Sequence, residues 1–304
     1  MSFEIQILGS NSAVPAYNRN HTSQLVQIEG NYFLFDCGEG TQIQLIKYKC
    51  KFSKINHIFI SHLHGDHYLG LMGLLSTFYL SGRKNTLHIY APSGLKEIIT
   101  TQLKYGEVIL SYTIEFHELF HEKKIILDLP NLTITTIPLI HRLPCNGFVI
   151  REKPKKRRIN KYKIPENFPV QYFDRLVNGE DIIDEQGNIL YKNKDLTLPP
   201  NHSRSYAYCT DTRYFEDLAK EIKGVDLLYH ESTFLDEENE WAAKTFHSTA
   251  RQAGKIAQLG KVKKLMLGHY SARYKNLNLF VEEAKSEFIE TIAAVEGETI
   301  TLEE

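Results

Sequence analysis

Cysteine is sparse and scattered, and that removes several possibilities at once. The four cysteines, Cys37, Cys50, Cys145 and Cys209, form no CxxC pair and no closely spaced set. A disulfide-stapled fold and a thiolate zinc module both need such spacing. Three of the four lie in or beside apolar strand-like runs, so they read as buried free thiols. No apolar stretch reaches about eighteen residues, so no membrane-spanning helix and no membrane partner are expected. The chain passes from Met1 into the strand-like Ile5-Gln6-Ile7-Leu8 without a basic segment or a signal core, and a cytoplasmic protein is the expectation. Net charge is nearly absent too, with 36 Lys and Arg against 37 Asp and Glu. That balance argues against a polyanionic partner only where the charge is evenly spread.

It is not evenly spread. Arg151, Lys153, Lys155, Lys156, Arg157, Arg158, Lys161 and Lys163 put eight cations into residues 151–163, opposed only by Glu152. Such a run in isolation is a solvated loop. Inside an otherwise patterned enzyme it becomes a footprint for nucleic acid. Prolines and an acidic patch replace regular periodicity from about 151 to 202, after which patterned sequence resumes. A structureless loop of that size is improbable within a compact domain. The expectation is one domain over 1–304, without internal repeats, interrupted at about 151–200 by a protruding arm with a helix and a small hairpin.

What the chain does have is imidazole and carboxylate at the ends of apolar runs. Ile55-Asn56-His57-Ile58-Phe59-Ile60 reads as a buried strand and leads directly into Ser61-His62-Leu63-His64-Gly65-Asp66-His67. The HxHxDH spacing does not seat all four groups on one ion, so two adjacent ions are expected. Further apolar runs stop at His141, Asp211, His269 and His230-Glu231 in the same way. His62, His64 and His141 suit one ion, Asp66, His67 and His269 the other, and Asp211 can span both. Nitrogen and oxygen ligands without thiolate favour zinc, with manganese or another divalent ion as the substitute. Two ions about 3.5–4 Å apart can clamp the oxygens of an in-line phosphoryl displacement by water. Asp66 is placed to accept that water's proton, and His247, oriented and kept charged by Glu231, to protonate the leaving group. Elsewhere, residues 24–28 and 32–35 read as a hairpin turning at Glu29-Gly30-Asn31. Helices are predicted over 68–80, directly after the histidine cluster, and over 94–105.

These motifs resemble the metallo-β-lactamase superfamily and, more narrowly, the short-form ribonuclease Z family. Phe35-Asp36-Cys37-Gly38-Glu39-Gly40-Thr41-Gln42 is similar to that family's N-terminal Asp motif, His230-Glu231-Ser232-Thr233 to its HEAT motif and His247-Ser248-Thr249 to its HST motif. The resemblance implies an α/β fold, a four-layer αβ/βα metallo-β-lactamase-type sandwich with a protruding arm, and Asp36 bracing the metal loop. It implies two Zn2+ per subunit and cleavage of precursor tRNA after the discriminator base, leaving a 3′-hydroxyl. It also implies a homodimer in which the arm of one subunit, through Lys155, Lys156, Arg157 and Arg158, grips tRNA at the other. Ser271 and Arg273 are expected to meet phosphate. Pro15-Ala16-Tyr17-Asn18-Arg19-Asn20 stands for the family's PxKxRN loop, with Tyr17 in place of lysine, and makes Arg19 and Asn20 candidates for the nucleotides beyond the cut. Phe168-Pro169 stands roughly where the arm's Gly-Pro element is expected. The alternative substrates are small phosphodiesters or other RNAs. A purely structural metal site is disfavoured, because structural sites are closed and usually rich in thiolate.

Overall fold

A computed structural model describes residues 2–304. Two seven-stranded sheets face each other. Across the first run Thr299–Thr301, Phe3–Gly9, Ser23–Ile28, Asn31–Phe35, Ile55–Phe59, Leu87–Pro92 and Ile114–Leu119. Across the second run Thr291–Ala293, Lys264–Gly268, Leu227–Glu231, Ser205–Cys209, Cys145–Glu152, Leu132–Leu139 and Lys124–Asp128. Strand side chains alternate between faces, and the sequence exploits both. Tyr206 and Tyr208 join Phe33, Phe35, Phe59 and Phe148 between the sheets. Their neighbours Ala207 and Cys209 point the other way, onto the helices Ala250–Gly260 and Asn278–Lys285. On the far side of the first sheet, Ile58 and Ile89 meet the helix Leu71–Leu80. The outcome is helix, sheet, sheet, helix, the four-layer arrangement expected. Cys37, Cys145 and Cys209 are buried, Cys50 is partly so, and all four are free.

Each sheet contains a parallel block: Asn31–Phe35 through Ile114–Leu119 in one, and Ser205–Cys209 through Thr291–Ala293 in the other. Parallel strands send their carboxyl ends to one edge, which is where open α/β sheets collect ligands. The hairpin turns through two residues only, Glu29 and Gly30, both at positive φ (49° and 86°), while Asn31 already pairs with Ile28. Those angles are what a two-residue hairpin loop requires.

The helix predicted over 68–80 begins later. A single helical turn, Gly65–Tyr68, carries Asp66 and His67, and the long helix starts only at Leu71. The break follows from close contact with the loop after Phe35. Gly70 N–H donates to the Cys37 carbonyl and Cys37 N–H to the His67 carbonyl, while a Cβ at Gly70 would run into the carbonyl of Gly38. The helix predicted over 94–105 runs Leu95–Tyr105 and buries Leu95 and Ile99.

Between the strands Cys145–Glu152 and Ser205–Cys209 the chain leaves the sheet and builds a small body of its own. Arg158–Ile159 pairs with Thr197–Leu198, and Ile182–Ile183 with Ile189–Tyr191. A short helix, Phe173–Val177, packs onto them, and Phe168, Leu176, Ile182 and Leu196 form a separate core.

Candidate metal centre

At the carboxyl edge of the two parallel blocks the expected ligands converge. His62 and His64 follow Ile55–Phe59, Asp66 and His67 sit on the adjoining helical turn, Asp211 follows Ser205–Cys209, and His269 follows Lys264–Gly268. His141 arrives from the antiparallel strand Leu132–Leu139. One group gathers His62, His64, His141 and Asp211, a second gathers Asp66, His67 and His269, and within each the ligand atoms lie inside 4.8 Å of one another. Asp211 faces both with different oxygens. Oδ2 is 3.6 Å from His62 Nε2 and 3.7 Å from His141 Nε2, and Oδ1 is 3.2 Å from His67 Nε2 and 3.0 Å from His269 Nε2. Asp66 Oδ2 lies 3.4 Å from His67 Nε2 and 3.5 Å from His269 Nε2.

The outer nitrogens explain why the inner ones face inward. Buried Asp36 accepts from His67 Nδ1 (2.7 Å), Tyr208 OH (2.7 Å), Ser61 Oγ (2.9 Å) and Ser61 N (2.8 Å). Because Ser61 Oγ donates to Asp36, it receives His62 Nδ1 (3.0 Å). Thr233 Oγ1 donates to Glu231 (2.6 Å) and so receives His269 Nδ1 (2.9 Å). His141 Nδ1 donates to the Phe246 carbonyl (3.0 Å). Each bond places the proton on Nδ1 and aims the Nε2 lone pair at the centre. His64 is the reverse case: its Nδ1 faces inward, 2.9 Å from His62 Nε2 and 3.1 Å from His141 Nε2, and its Nε2 meets Arg142. Asp36 and His269 both hold left-handed backbone (φ 53° and 58°).

The donor set fits divalent cations. Nε2 of His67 and of His269 are buried without a hydrogen-bond partner among the described residues, and orphaned polar atoms in a folded interior call for an ion or a water. Burial, reinforced by the neighbouring imidazoles, holds His62 well below its ordinary pKa and lowers His64 and His141. These rings are therefore neutral and can offer lone pairs. Burial would lower His67 as well, but Asp211, Asp66 and Asp36 surround it and raise it well above normal. Burial alone would push Asp211 up; His269, His67 and His62 hold it well below the usual carboxylate range.

His247 stands apart. Its Nδ1 is 2.8 Å from Glu231 Oε1. Burial would lower its pKa, but the Glu231 carboxylate raises it to about 9. Asp211, His247 and His269 also lie within ligating distance of one another, and Asp211 and His269 already belong to the two groups above. Glu231 is fully buried and further accepts from Thr212 N, Thr233 N and Ser248 N. Of the His230-Glu231 pair only the carboxylate reaches the centre. His230 turns to the opposite face, where its Nδ1 donates to the Glu231 carbonyl (2.7 Å).

A cleft of ≈ 910 Å³ opens over the centre, lined among others by Asp66, His247, Ser271 and Arg273. Arg142, Trp241 and Lys244, none singled out from the sequence, share its wall. Arg273 lies 5.9 Å from the Trp241 ring and 3.2 Å from Glu238. Arg19 and Asn20 are placed differently from what a direct RNA contact requires. Arg19 is 9% exposed, and its guanidinium donates to Asn11 Oδ1 (2.9 Å) and the carbonyls of Tyr274 (2.5 Å) and Lys275 (3.4 Å). Asn20 Nδ2 donates to Glu296 (2.8 Å). Arg19 braces the turn at Tyr17-Asn18 against the segment after His269 and Asn20 ties it to Glu296, while Tyr17 and Asn18 are exposed. In the arm, Lys155 sits between Glu152 (3.1 Å) and Glu304 (2.8 Å), Lys156 pairs with Asp174 (3.3 Å), Arg157 reaches Thr197 (2.8 Å) and Arg158 the Pro199 carbonyl (3.1 Å). Lys161 and Lys163 flank fully exposed Tyr162.

Comparison with known proteins yields two matching family models, one described as anti-Pycsar protein Apyc1 over residues 3–154 and one as a beta-lactamase superfamily domain over 196–270. Curated proteins named ribonuclease Z match nearly the whole chain. The one from Cytophaga hutchinsonii is 48% identical over 98% of this chain and 95% of its own length. The one from Phocaeicola vulgatus is 46% identical over 99% and 98%. Among solved structures, human tRNase Z, short form, superposes with a TM-score of 0.72 at 26% identity, covering 98% of both chains.

Proposed function

The chain belongs to the ribonuclease Z family, and on that premise we infer how its centre acts on RNA. It is a metal-dependent endoribonuclease that processes the 3′ end of precursor tRNA. We place the cut just after the discriminator base, with a 3′-hydroxyl left on the tRNA. The observation that carries this mechanism is an imidazole held 2.8 Å from a buried carboxylate, beside a cage of converging histidine and aspartate side chains. When bound, two zinc-class cations, one held by His62, His64, His141 and Asp211 and the other by Asp66, His67, His269 and Asp211, would polarise the scissile phosphate and acidify the attacking water. The residues do the rest. Asp66, 10% exposed at the floor of the cleft, accepts the water's proton. The bond from phosphorus to the ribose 3′ oxygen breaks, and His247 delivers its proton to that oxygen through Nε2, because Nδ1 is committed to Glu231. Asp36, Thr233, Ser61 and the Phe246 carbonyl keep the rings from turning.

Arg142, Lys244 and Arg273 in the cleft wall suit phosphates, and Trp241 offers a flat face to a base. Ser271 sits beside Arg273 on the same wall. The arm's exposed cations, Lys156, Arg158, Lys161 and Lys163, support a grip on the tRNA body without base readout. In a cytoplasmic homodimer that grip would fall on substrate bound at the other subunit. Arg19 and Asn20 act in this reading through the turn they brace.

The test is cleavage of an end-labelled precursor tRNA with mapping of both product ends. Cleavage next to the discriminator that stops on chelation and returns with zinc supports the reading. Absence of such a cut, with brisk turnover of a small phosphodiester, would replace it with the small-substrate alternative.

A further inference from the structure

A second set of imidazoles lies at the opposite, amino end of the first sheet's parallel strands. Backbone register pairs His57 with His88, His88 with Glu115, and Tyr90 with His117. Residues i and i+2 of a strand share a face, so Glu115 and His117 project from the edge strand Ile114–Leu119 on the side that carries His88. His88 Nδ1 is 3.3 Å from Glu115 Oε2 and 3.2 Å from His117 Nε2. One ligand atom from each of the three lies within 4.8 Å of the other two.

These spacings match a small cation. Zinc–nitrogen and zinc–oxygen bonds of about 2.0–2.1 Å give ligand-to-ligand edges of about 3.3 Å in a tetrahedron. The corresponding edges in the catalytic centre run from 2.9 to 3.7 Å. Both rings are also held in fixed planes. His57 stacks on His88 (centroids 5.0 Å, 14° between planes) and Tyr90 on His117 (4.3 Å, 13°), the preorganisation a ligand set needs. Hydrogen bonding alone serves the cluster poorly, because His88 Nδ1 offers either one proton or one lone pair and so satisfies only one of the two neighbours it faces. A cation at that point meets all three.

We propose that His88 Nδ1, His117 Nε2 and Glu115 bind a further divalent cation of the zinc class, outside the catalytic centre, with water completing its coordination on the exposed side. Glu115, with 54% of its side chain exposed, marks that open side. The ion ties the edge strand Ile114–Leu119 to Leu87–Pro92 and neutralises the carboxylate there. With three protein ligands and an open side it is a peripheral bridge between two strands, and it does not depend on which RNA the enzyme cuts.

The whole protein, stripped with chelator, reloaded with Zn2+ and desalted, is compared with H88Q/H117Q by elemental analysis and thermal unfolding. The wild type should hold one zinc equivalent per chain more than the variant and gain more in melting temperature on reloading, with RNA turnover unchanged. E115Q alters only the half-exposed ligand and guards against a folding defect. It should bind the additional equivalent at least about tenfold more weakly in chelator competition. Equal zinc content in wild type and H88Q/H117Q, or unchanged affinity in E115Q, would overturn the assignment.

Discussion

Replacing His247 by alanine should separate cleavage of RNA from hydrolysis of an activated phosphodiester. A ribose 3′ oxygen leaves badly as an alkoxide and needs a proton, whereas p-nitrophenolate leaves as a stable anion. General acid catalysis contributes about 10²–10⁴-fold, so H247A should lose about that much on precursor tRNA and less than about tenfold on bis(p-nitrophenyl) phosphate. The pH dependence follows from the Glu231 partnership. Burial lowers His247, Glu231 raises it more, and the balance at about 9 lies above the ordinary 6.5. The difference corresponds to about 3 kcal/mol favouring the charged pair. A raised pKa keeps the acid form dominant through neutrality, and it is lost as pH rises through about 9. The pair's contribution to stability, complete below about 6.5, disappears over the same interval. In E231Q the burial cost remains without the carboxylate, so the alkaline limb of the RNA cleavage profile should move to lower pH. Equal losses on the two substrates in H247A, or an unmoved alkaline limb in E231Q, would remove His247 from the role of acid.

Asp36→Ala takes away the acceptor that orients His67, and metal affinity measured by chelator competition should drop about 10–100-fold while far-UV circular dichroism stays native. K161A/K163A should flatten the dependence of log Kd on log salt by roughly 1.4–1.8 for precursor tRNA, with kcat retained; an unchanged slope would take the arm tip off the RNA. Trp241 is the only tryptophan of the chain, so its fluorescence reports on the cleft directly. Bound RNA should quench it, and W241A should weaken substrate binding by about 1–3 kcal/mol, seen as a higher KM. Loading zinc into metal-free protein at pH 7 should release protons, because three carboxylates hold His67 protonated until a cation takes the proton's place. A pH-indicator titration showing no release would contradict that charge state.

The convergence of the candidate ligands was legible because apolar strands lead into them, and parallel strands deliver their carboxyl ends to one edge, with His141 joining from an antiparallel strand. Asp66 and His67 needed only the HxHxDH spacing. The supporting atoms were harder to see for a physical reason. Tyr208 donates to Asp36 across 172 residues of sequence, from a strand whose buried aromatics look alike. Thr233 and Ser61 sit inside motifs, but nothing in their spacing says that they bridge ring to carboxylate by hydrogen bonds. Arg19 was a candidate RNA contact through the resemblance of its loop to the family's PxKxRN loop; its partners, the Tyr274 and Lys275 carbonyls, belong to a distant segment. The arm's core escapes any periodic reading, since Phe168, Leu176, Ile182 and Leu196 come from separate short elements. Lys155 is held by Glu304 at the far end of the chain, which moves the free positive charge toward Lys161 and Lys163.

Two buried carboxylates perform the same local act with opposite results. Asp36 accepts from His67 Nδ1 at 2.7 Å and Glu231 from His247 Nδ1 at 2.8 Å. Both raise the pKa of their imidazole, and both fix which nitrogen carries the bound proton. The difference lies at the other nitrogen. His67 Nε2 faces Asp66 and Asp211, where a divalent cation would compete with a proton for the same anionic point and be favoured by its greater charge. The His247 ring lines the open cleft, where the competitor is the substrate's own leaving oxygen. On the proposed mechanism, a carboxylate behind an imidazole serves a metal ligand in one place and an acid in the other, and the charge in front of the ring is what distinguishes them. Exchanging that charge gives the sharpest consequence: in D211N/D66N the anions before His67 are gone, and the metal affinity of the second group should fall further than the removal of two ligands from a neutral cage predicts, because His67 then loses the field that drew in the cation. An affinity loss no greater than that of replacing two neutral ligands would mean that geometry alone, without the field, separates the two imidazoles.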